Sequence, residues 1–261
     1  DFGGGVIEFE AGDVVANDGS VWYKKVNNSQ AIDPVFIGNV QRGKLYAWIP
    51  NSDSNQWIGT STPTKTGTPS DVSANFASTE IYGKWDAREV SATEAAIREK
   101  TVQTCAVGLG FYYVCEFAVT TESSTSNVQF FGLTDSSSEI GNVDPSGLTN
   151  LFGLALDDTD TNYQFIHNDN AGAATKIDLG SDFARNPATP YSFRLEMFCR
   201  DGRGTIQYRV INLDDNTSDT GWNVVNTNLP DDTVGLYPQC YMNIGTGASS
   251  NNVFRVGYLK I

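Results

Sequence analysis

The 261-residue chain carries 31 acidic against 17 basic residues, a formal net charge of −14, yet charged residues make up only 18% of it. An acidic surface repels phosphate backbones, which argues against nucleic acid and anionic membrane as partners, and no apolar run is long enough to insert into a bilayer. Helix formers are scarce, whereas Gly, Asn, Ser, Thr and aromatic residues are plentiful, a mix that favours strands and turns.

Residues 1–62 are expected to form a small N-terminal β-module. VIEFE alternates apolar and acidic residues, and GDVVANDGSVWYKK is two strand segments around Asn17-Asp18-Gly19, a strong hairpin signal. GKLYAWI and QWIG continue the meander across the turn-rich NSDSN. Trp22, Tyr23, Tyr46, Trp48 and Trp57 give this short region most of its apolar surface.

Residues 63–100 are expected to be a linker with one short helix. STPTKTGTPSDVSANFAS has almost no large apolar side chain. SATEAAIREK pairs a capping Ser91 with Glu94 three residues on, followed by good helix formers.

Residues 101–261 are all β in pattern, and the first strand of this part can begin near residue 80. Ten strand-like runs follow one another, from GFYYVCEFAVTT to NVFRVGYLKI, separated by Gly, Asn, Asp or Pro clusters. That is the spacing of an antiparallel sandwich, not of βαβ units. In the run at 191–200, alternation puts Phe193, Leu195, Met197 and Cys199 on one face and Arg194, Glu196 and Phe198 on the other. RDGRG then joins this run to GTIQYRVINL as a hairpin. Cys105, Cys115, Cys199 and Cys240 sit inside apolar runs without CxxC spacing. Buried core residues fit them better than a zinc site, and whether they pair stays open.

The strand YSFRLEMF, the turn DGRG, the strand TIQYRVIN and the final NVFRVGYLKI resemble concanavalin A-like (lectin or laminin-G type) jelly rolls. GLALDDTDTNYQFIHNDNAGAATKIDLGSDF resembles a domain that recurs in virion proteins of tailed bacteriophages. GSVWYKK followed by GKLYAWIPNSDSNQWIG resembles the short meander of tail-fibre proteins, on Trp22, Gly43, Leu45, Tyr46, Asp53, Ser54, Gln56 and Trp57. The fold these resemblances imply is an all-β antiparallel β-sandwich, a concanavalin A-like jelly roll preceded by a small β-meander. They also imply a virion surface protein: a fibre, appendage or decoration subunit among other virion proteins. It would be a homo-oligomer, a trimer by analogy, with host surface glycan as its ligand.

His167, the one histidine of the chain, lacks a GxSxG nucleophile elbow or a second histidine to work with. It is expected to end a strand before the turn Asn168-Asp169-Asn170-Ala171-Gly172. The acids of LDDTDTN and NLDDNTSDTG offer hard oxygen ligands but no EF-hand spacing, so no metal and no cofactor is expected. Glu116 and Glu196 are mid-strand acids of the kind a glycan-cleaving depolymerase would use, but ExDxxE and RxExR are not intact, and an Arg194–Glu196 ion pair explains them. No enzyme is expected, with the depolymerase and a ligand-free capsid or tail cement as rivals. Sugar sites combine aromatic platforms with amides and carboxylates, which singles out Asn223, Asn226, Asn228 and Tyr237, with Trp57 or Trp22 in the meander.

Overall fold

The structure, a computed structural model, describes residues 105–119, 127–185, 189, 191–200, 204–214 and 218–243 in full. It gives the backbone alone at 120–121 and in the strands at 14–17, 22–25, 47–48, 57–58, 64–66, 68–69, 86–90, 94–98 and 252–260. By contacts the chain divides into residues 1–44 and 45–261. In the first unit β1 (Val14–Asn17) and β2 (Trp22–Lys25) form an antiparallel hairpin with Asn17 opposite Trp22, where the NDG signal predicts one.

The second unit is an antiparallel sandwich. Its strands are β3 (Ala47–Trp48), β4 (Trp57–Ile58), β5 (Thr64–Thr66), β6 (Thr68–Pro69), β7 (Asp86–Val90) and β8 (Glu94–Arg98), followed by β9 (Phe111–Thr121), β10 (Val128–Thr134), β11 (Leu151–Leu156) and β12 (Gln164–Asn168). After these come β13 (Thr175–Asp178), β14 (Tyr191–Cys199), β15 (Ile206–Asn212), β16 (Asn223–Val225), β17 (Tyr237–Asn243) and β18 (Asn252–Lys260). One sheet runs β13-β12-β11-β10-β17-β8-β5. The other runs β16-β15-β14-β9-β18-β3-β4, with β7 also on β18 and β6 on β7. All ten runs expected after residue 101 are strands, β9 to β18.

Alternation fills the space between the sheets. Tyr113, Cys115 and Phe117 of β9 and Phe193, Leu195 and Met197 of β14 face Phe131, Phe152, Phe165, Cys240 and Met242 from the other sheet. Two stacked ring pairs, Phe117 on Phe131 at 3.6 Å and Phe165 on Tyr208 at 3.7 Å, join the layers. β14 shows the split expected of it: Phe193, Leu195, Met197 and Cys199 are buried, whereas Arg194, Glu196 and Phe198 are half-buried.

The β10–β11–β12 sheet is buried on both faces. Its outer side carries Val128, Phe130, Leu151, Ala155, Ile166 and Tyr241, packed under Ile140 and Leu148 of the 135–150 loop. That loop is tied down by Tyr241 Oη donating to the Gly141 carbonyl at 2.8 Å and by Ala174 N donating to Ser146 O at 2.8 Å. Double burial explains why VQFFGLT and LFGLAL read as continuous apolar runs. Gly132 and Gly153 pair across β10 and β11, and a Cβ on Gly132 would meet the Phe152 carbonyl and lie 2.8 Å from the Gly153 Cα. A buried polar network closes another part of the sandwich. Arg185 donates to the Asn127 carbonyl at 2.6 Å and to its Oδ1 at 2.9 Å, Gln129 Nε2 donates to Asn127 Oδ1, and Tyr163 donates to Gln129 Oε1.

The 63–100 segment corrects two expectations. SATEAAIREK is not a helix: Glu94–Arg98 is a strand between β17 and β5, with Ala96 opposite Tyr241 and Ile97 opposite Cys240. A two- to three-turn helix is marginal on its own propensity, so the ladder bonds of a strand paired on both edges override the cap signal. The segment is also not a bare linker, because β5, β6, β7 and β8 all belong to the two sheets. GKLYAWI and QWIG do supply a strand pair, β3 with β4, but β3 is laid against β18 of the sandwich.

Candidate functional site

A cleft of about 540 Å³ opens where several loops of the sandwich meet. Its lining runs from Asn226 to Thr233, the connection between β16 and β17, and adds Asp169 after β12, Gly204 before β15 and Val107 of the short turn Val107–Leu109. The cleft has no regular secondary structure of its own, so its shape depends on what pins these loops. Gly108 N donates to the Asp232 carbonyl at 3.0 Å, and Leu236 N donates to the Cys105 carbonyl at 2.8 Å. A side chain at Gly108 would bring its Cβ within 2.7 Å of the Asp232 oxygen, so only glycine allows that approach.

Asn228 is the main clasp. Its backbone is left-handed, φ 51°, a conformation asparagine tolerates better than most residues. Its Nδ2 donates to the His167 carbonyl at 3.1 Å and to Thr175 Oγ1 at 3.0 Å, and its Oδ1 accepts from Asp169 N at 3.3 Å. In return His167 Nδ1 lies 3.1 Å from the Asn228 carbonyl, which can only accept, so Nδ1 carries the proton. His167 is 2% exposed and stands opposite Phe152 and Thr175 in its sheet. It is thus a strand residue before a turn, as the sequence implies, and Gly172 at φ 76° completes that turn. Its ring also holds the cleft loop, a contact between residues 61 apart that no local pattern shows.

The cleft offers hydroxyl, amide and carboxylate groups from Asn226, Thr227, Asp169, Asp231, Asp232 and Thr233, with no Lys or Arg among its lining residues. Such a set accepts and donates hydrogen bonds to a polyhydroxylated ligand and repels an anionic one. The expected sugar-contacting residues divide. Asn226 and Asn228 line this cleft. Asn223 does not, and its Nδ2 is turned to the Thr220 and Gly221 carbonyls, each at 3.1 Å. Tyr237 begins β17 opposite Thr134, outside the lining. Trp22 and Trp57 have described backbone in β2 and β4, and their side chains lie outside the described residues.

The acid-rich loops are engaged with protein groups. Asp157 Oδ2 and Asp160 Oδ1 each lie 2.7 Å from Lys176 Nζ, so an ammonium fills the place between them. Burial pulls the Lys176 ammonium down, but its bonds to Asp157 and Asp160 outweigh this and leave it above its ordinary value. Asp214 accepts from Ser192 N at 2.6 Å and Ser192 Oγ at 2.8 Å, and Asp219 accepts from Arg209. Among the described residues no group of three His, Cys, Asp or Glu side chains is arranged to hold a metal.

Glu116 and Glu196 lie on the outer face of the other sheet, away from His167. The expected Arg194–Glu196 ion pair is present, but Arg194 has a closer partner. Arg194 stands directly opposite Glu116 across β9 and β14, with Nε donating to Oε1 at 2.7 Å, while Glu196 is 3.9 Å away. Cross-strand neighbours in a sheet lie closer than residues two apart on one strand, whose side chains are spread along it. Burial raises both carboxyls from their ordinary values, against the pull of Arg194 on Glu116 and of Arg194 and Arg209 on Glu196. The same face ends at β16 with Val224 exposed opposite Gln207 and with Trp222, 43% exposed, two residues earlier. In the sequence Trp222 reads as part of a strand; the signal that sets it apart is its position directly after Gly221 and just before an edge strand.

No protein-family model matches the chain, and comparison with the curated proteins gives no match. Solved structures do match. Peanut lectin, solved with a nine-residue peptide, superposes with a TM-score of 0.50 at 11% identity, over 83% of this chain and 96% of the lectin. The fold is a lectin-like jelly roll. A Lotus tetragonolobus seed lectin gives 0.45 at 12% identity, over 83% of this chain and 96% of its own. A carbohydrate esterase from the Shiga toxin-encoding bacteriophage phi24B gives 0.40 at 11%, over 85% of this chain and 90% of its own.

Proposed function

We propose that the protein is a non-catalytic glycan-binding subunit on the surface of a bacteriophage particle, and that the cleft of Asn226 to Thr233 is its sugar site. The observation that carries the reading is the cleft itself. It is a concave site lined by amide, hydroxyl and carboxylate groups, with its loops fixed in advance by the Asn228–His167 clasp. A pre-fixed site loses less freedom on binding, which matters for ligands as weakly held as sugars. The phage setting is supported by the resemblance of residues 153–183 and of the N-terminal meander to tailed-phage proteins. With three carboxylates and no basic lining residue, the site fits neutral host surface polysaccharide.

The test is titration of the purified protein with host surface oligosaccharides in a calorimeter, beside immunogold labelling of particles. Saturable binding that is lost in Asn226→Ala and Asp231→Ala, together with label on the virion, supports the reading. Absence of binding to any host glycan, with tight binding to undecorated particles, selects a ligand-free cement protein instead. New reducing ends released from the polysaccharide select a depolymerase.

A further inference from the structure

We propose that Cys115 and Cys240 are the two halves of a disulfide that ties the two sheets of the sandwich together. The Sγ atoms lie 3.7 Å apart, and both residues are fully buried. Cys115 is on β9, in the middle of one sheet, and Cys240 is on β17, in the middle of the other. They are 125 residues apart in sequence, and no ladder joins their strands, so the two thiols meet only because the layers pack face to face. The layers are held in register beside them: Phe117, two residues after Cys115, stacks on Phe131, which stands opposite Cys240. The sulfurs have to close from 3.7 Å to the roughly 2.05 Å of a bond. Cys199 points elsewhere, giving its S–H to the Val107 carbonyl at 3.3 Å.

The chemistry is thiol–disulfide exchange with a low-molecular-weight disulfide as oxidant. One cysteine thiolate attacks that disulfide, forms a mixed disulfide and expels one small thiolate. The second cysteine attacks the protein sulfur of the mixed disulfide and expels the other. Two protein thiols are oxidised to one disulfide, the small disulfide is reduced to two thiols, and the two protons pass to solvent or to the departing thiolates. The mixed intermediate needs room that the closed core lacks. Exchange therefore takes place before the sheets close. Once folded, the bond is shielded from reductants, and burial, which also pushes the Cys240 thiol up, leaves the reduced pair inert in the native state.

The experiment is refolding of the full chain from denaturant in a glutathione redox buffer and, separately, in excess reductant. Free thiols are then counted in denaturant, and intact mass and disulfide-mapped peptides are recorded. The expected product has lost two hydrogens, keeps two of its four thiols and yields a Cys115–Cys240 peptide pair. Its melting temperature exceeds that of the reduced form by up to roughly 10 °C. The native reduced protein, treated with the same buffer, keeps all four thiols. The Cys105→Ala/Cys199→Ala double variant still forms the bond, and Cys115→Ala and Cys240→Ala each abolish it. Four titratable thiols after oxidative refolding of the wild-type chain, or a bond mapped to any other pair, overturns the proposal.

Discussion

Replacing Asn228 by alanine removes the side-chain part of the clasp and leaves the His167 bond to the residue 228 carbonyl. Three side-chain hydrogen bonds go: to the His167 carbonyl, to Thr175 Oγ1 and from Asp169 N. The first and third are partly buried and the second is exposed; such bonds contribute about 0.5–1.5 kcal/mol each, net of what water returns, so their sum is roughly 2 kcal/mol. Alanine at φ 51° adds a left-handed backbone that costs roughly 1 kcal/mol more. The expected loss is therefore about 3 kcal/mol. Asn228→Gly loses the same bonds and keeps the backbone freedom, so its loss falls about 1 kcal/mol short of that of alanine. Urea denaturation at neutral pH measures both, read as midpoint shifts at constant slope. Native-state hydrogen exchange at Asp169 N reports the same clasp, with faster exchange in either variant. A loss below about 0.5 kcal/mol for alanine would refute the clasp, because that is the scatter of an ordinary surface substitution. Equal losses for alanine and glycine would refute the backbone part alone.

Four further outcomes are expected. Arg185→Ala unfolds at lower denaturant, by roughly 2–3 kcal/mol, because Asn127 loses charge-assisted partners in a buried setting; an unchanged midpoint would show the network to be dispensable. Gly132→Ala fails to fold or loses more than about 3 kcal/mol, since the Phe152 carbonyl and the Gly153 Cα leave no place for a Cβ; a native-like melting curve argues against the close approach. Glu116, raised by burial, binds its proton more tightly in the folded than in the unfolded chain. Its contribution is therefore most favourable at low pH and declines as pH rises from 4.5 through its higher folded value. Glu116→Gln should flatten that decline in urea midpoints taken from pH 4 to 8, and an unchanged profile counts against it. Trp222→Ala should leave stability nearly unaltered, given its 43% exposure. If it also abolishes glycan binding, the sugar site lies on the β16 edge and not in the cleft.

Much of this molecule is written along the chain. The turn clusters between the ten late runs determine strands β9 to β18, and the period-two alternation of YSFRLEMFC determines the buried face of β14, because a pleated strand has two sides and burial there selects one. The Asn-Asp-Asn-Ala-Gly stretch likewise determines a turn, since Asn and Asp side chains bond their own main chain and Gly172 supplies the positive φ.

Three things were decided only in three dimensions. Glu94–Arg98 carries a helix cap yet is a strand, because its place between β17 and β5 offers more bonds than its own short helix. Arg194 lies closer to Glu116 than to Glu196, because register, set by the whole of β9 against β14, places Arg194 and Glu116 face to face. His167 and Asn228, singled out for separate reasons and 61 residues apart, turn out to hold one another and with them the wall of the cleft. Sequence pattern reports which way a residue faces relative to its neighbours on the strand. Which residue it meets on another element depends on how the sheets and loops pack, and the cleft is made of those meetings.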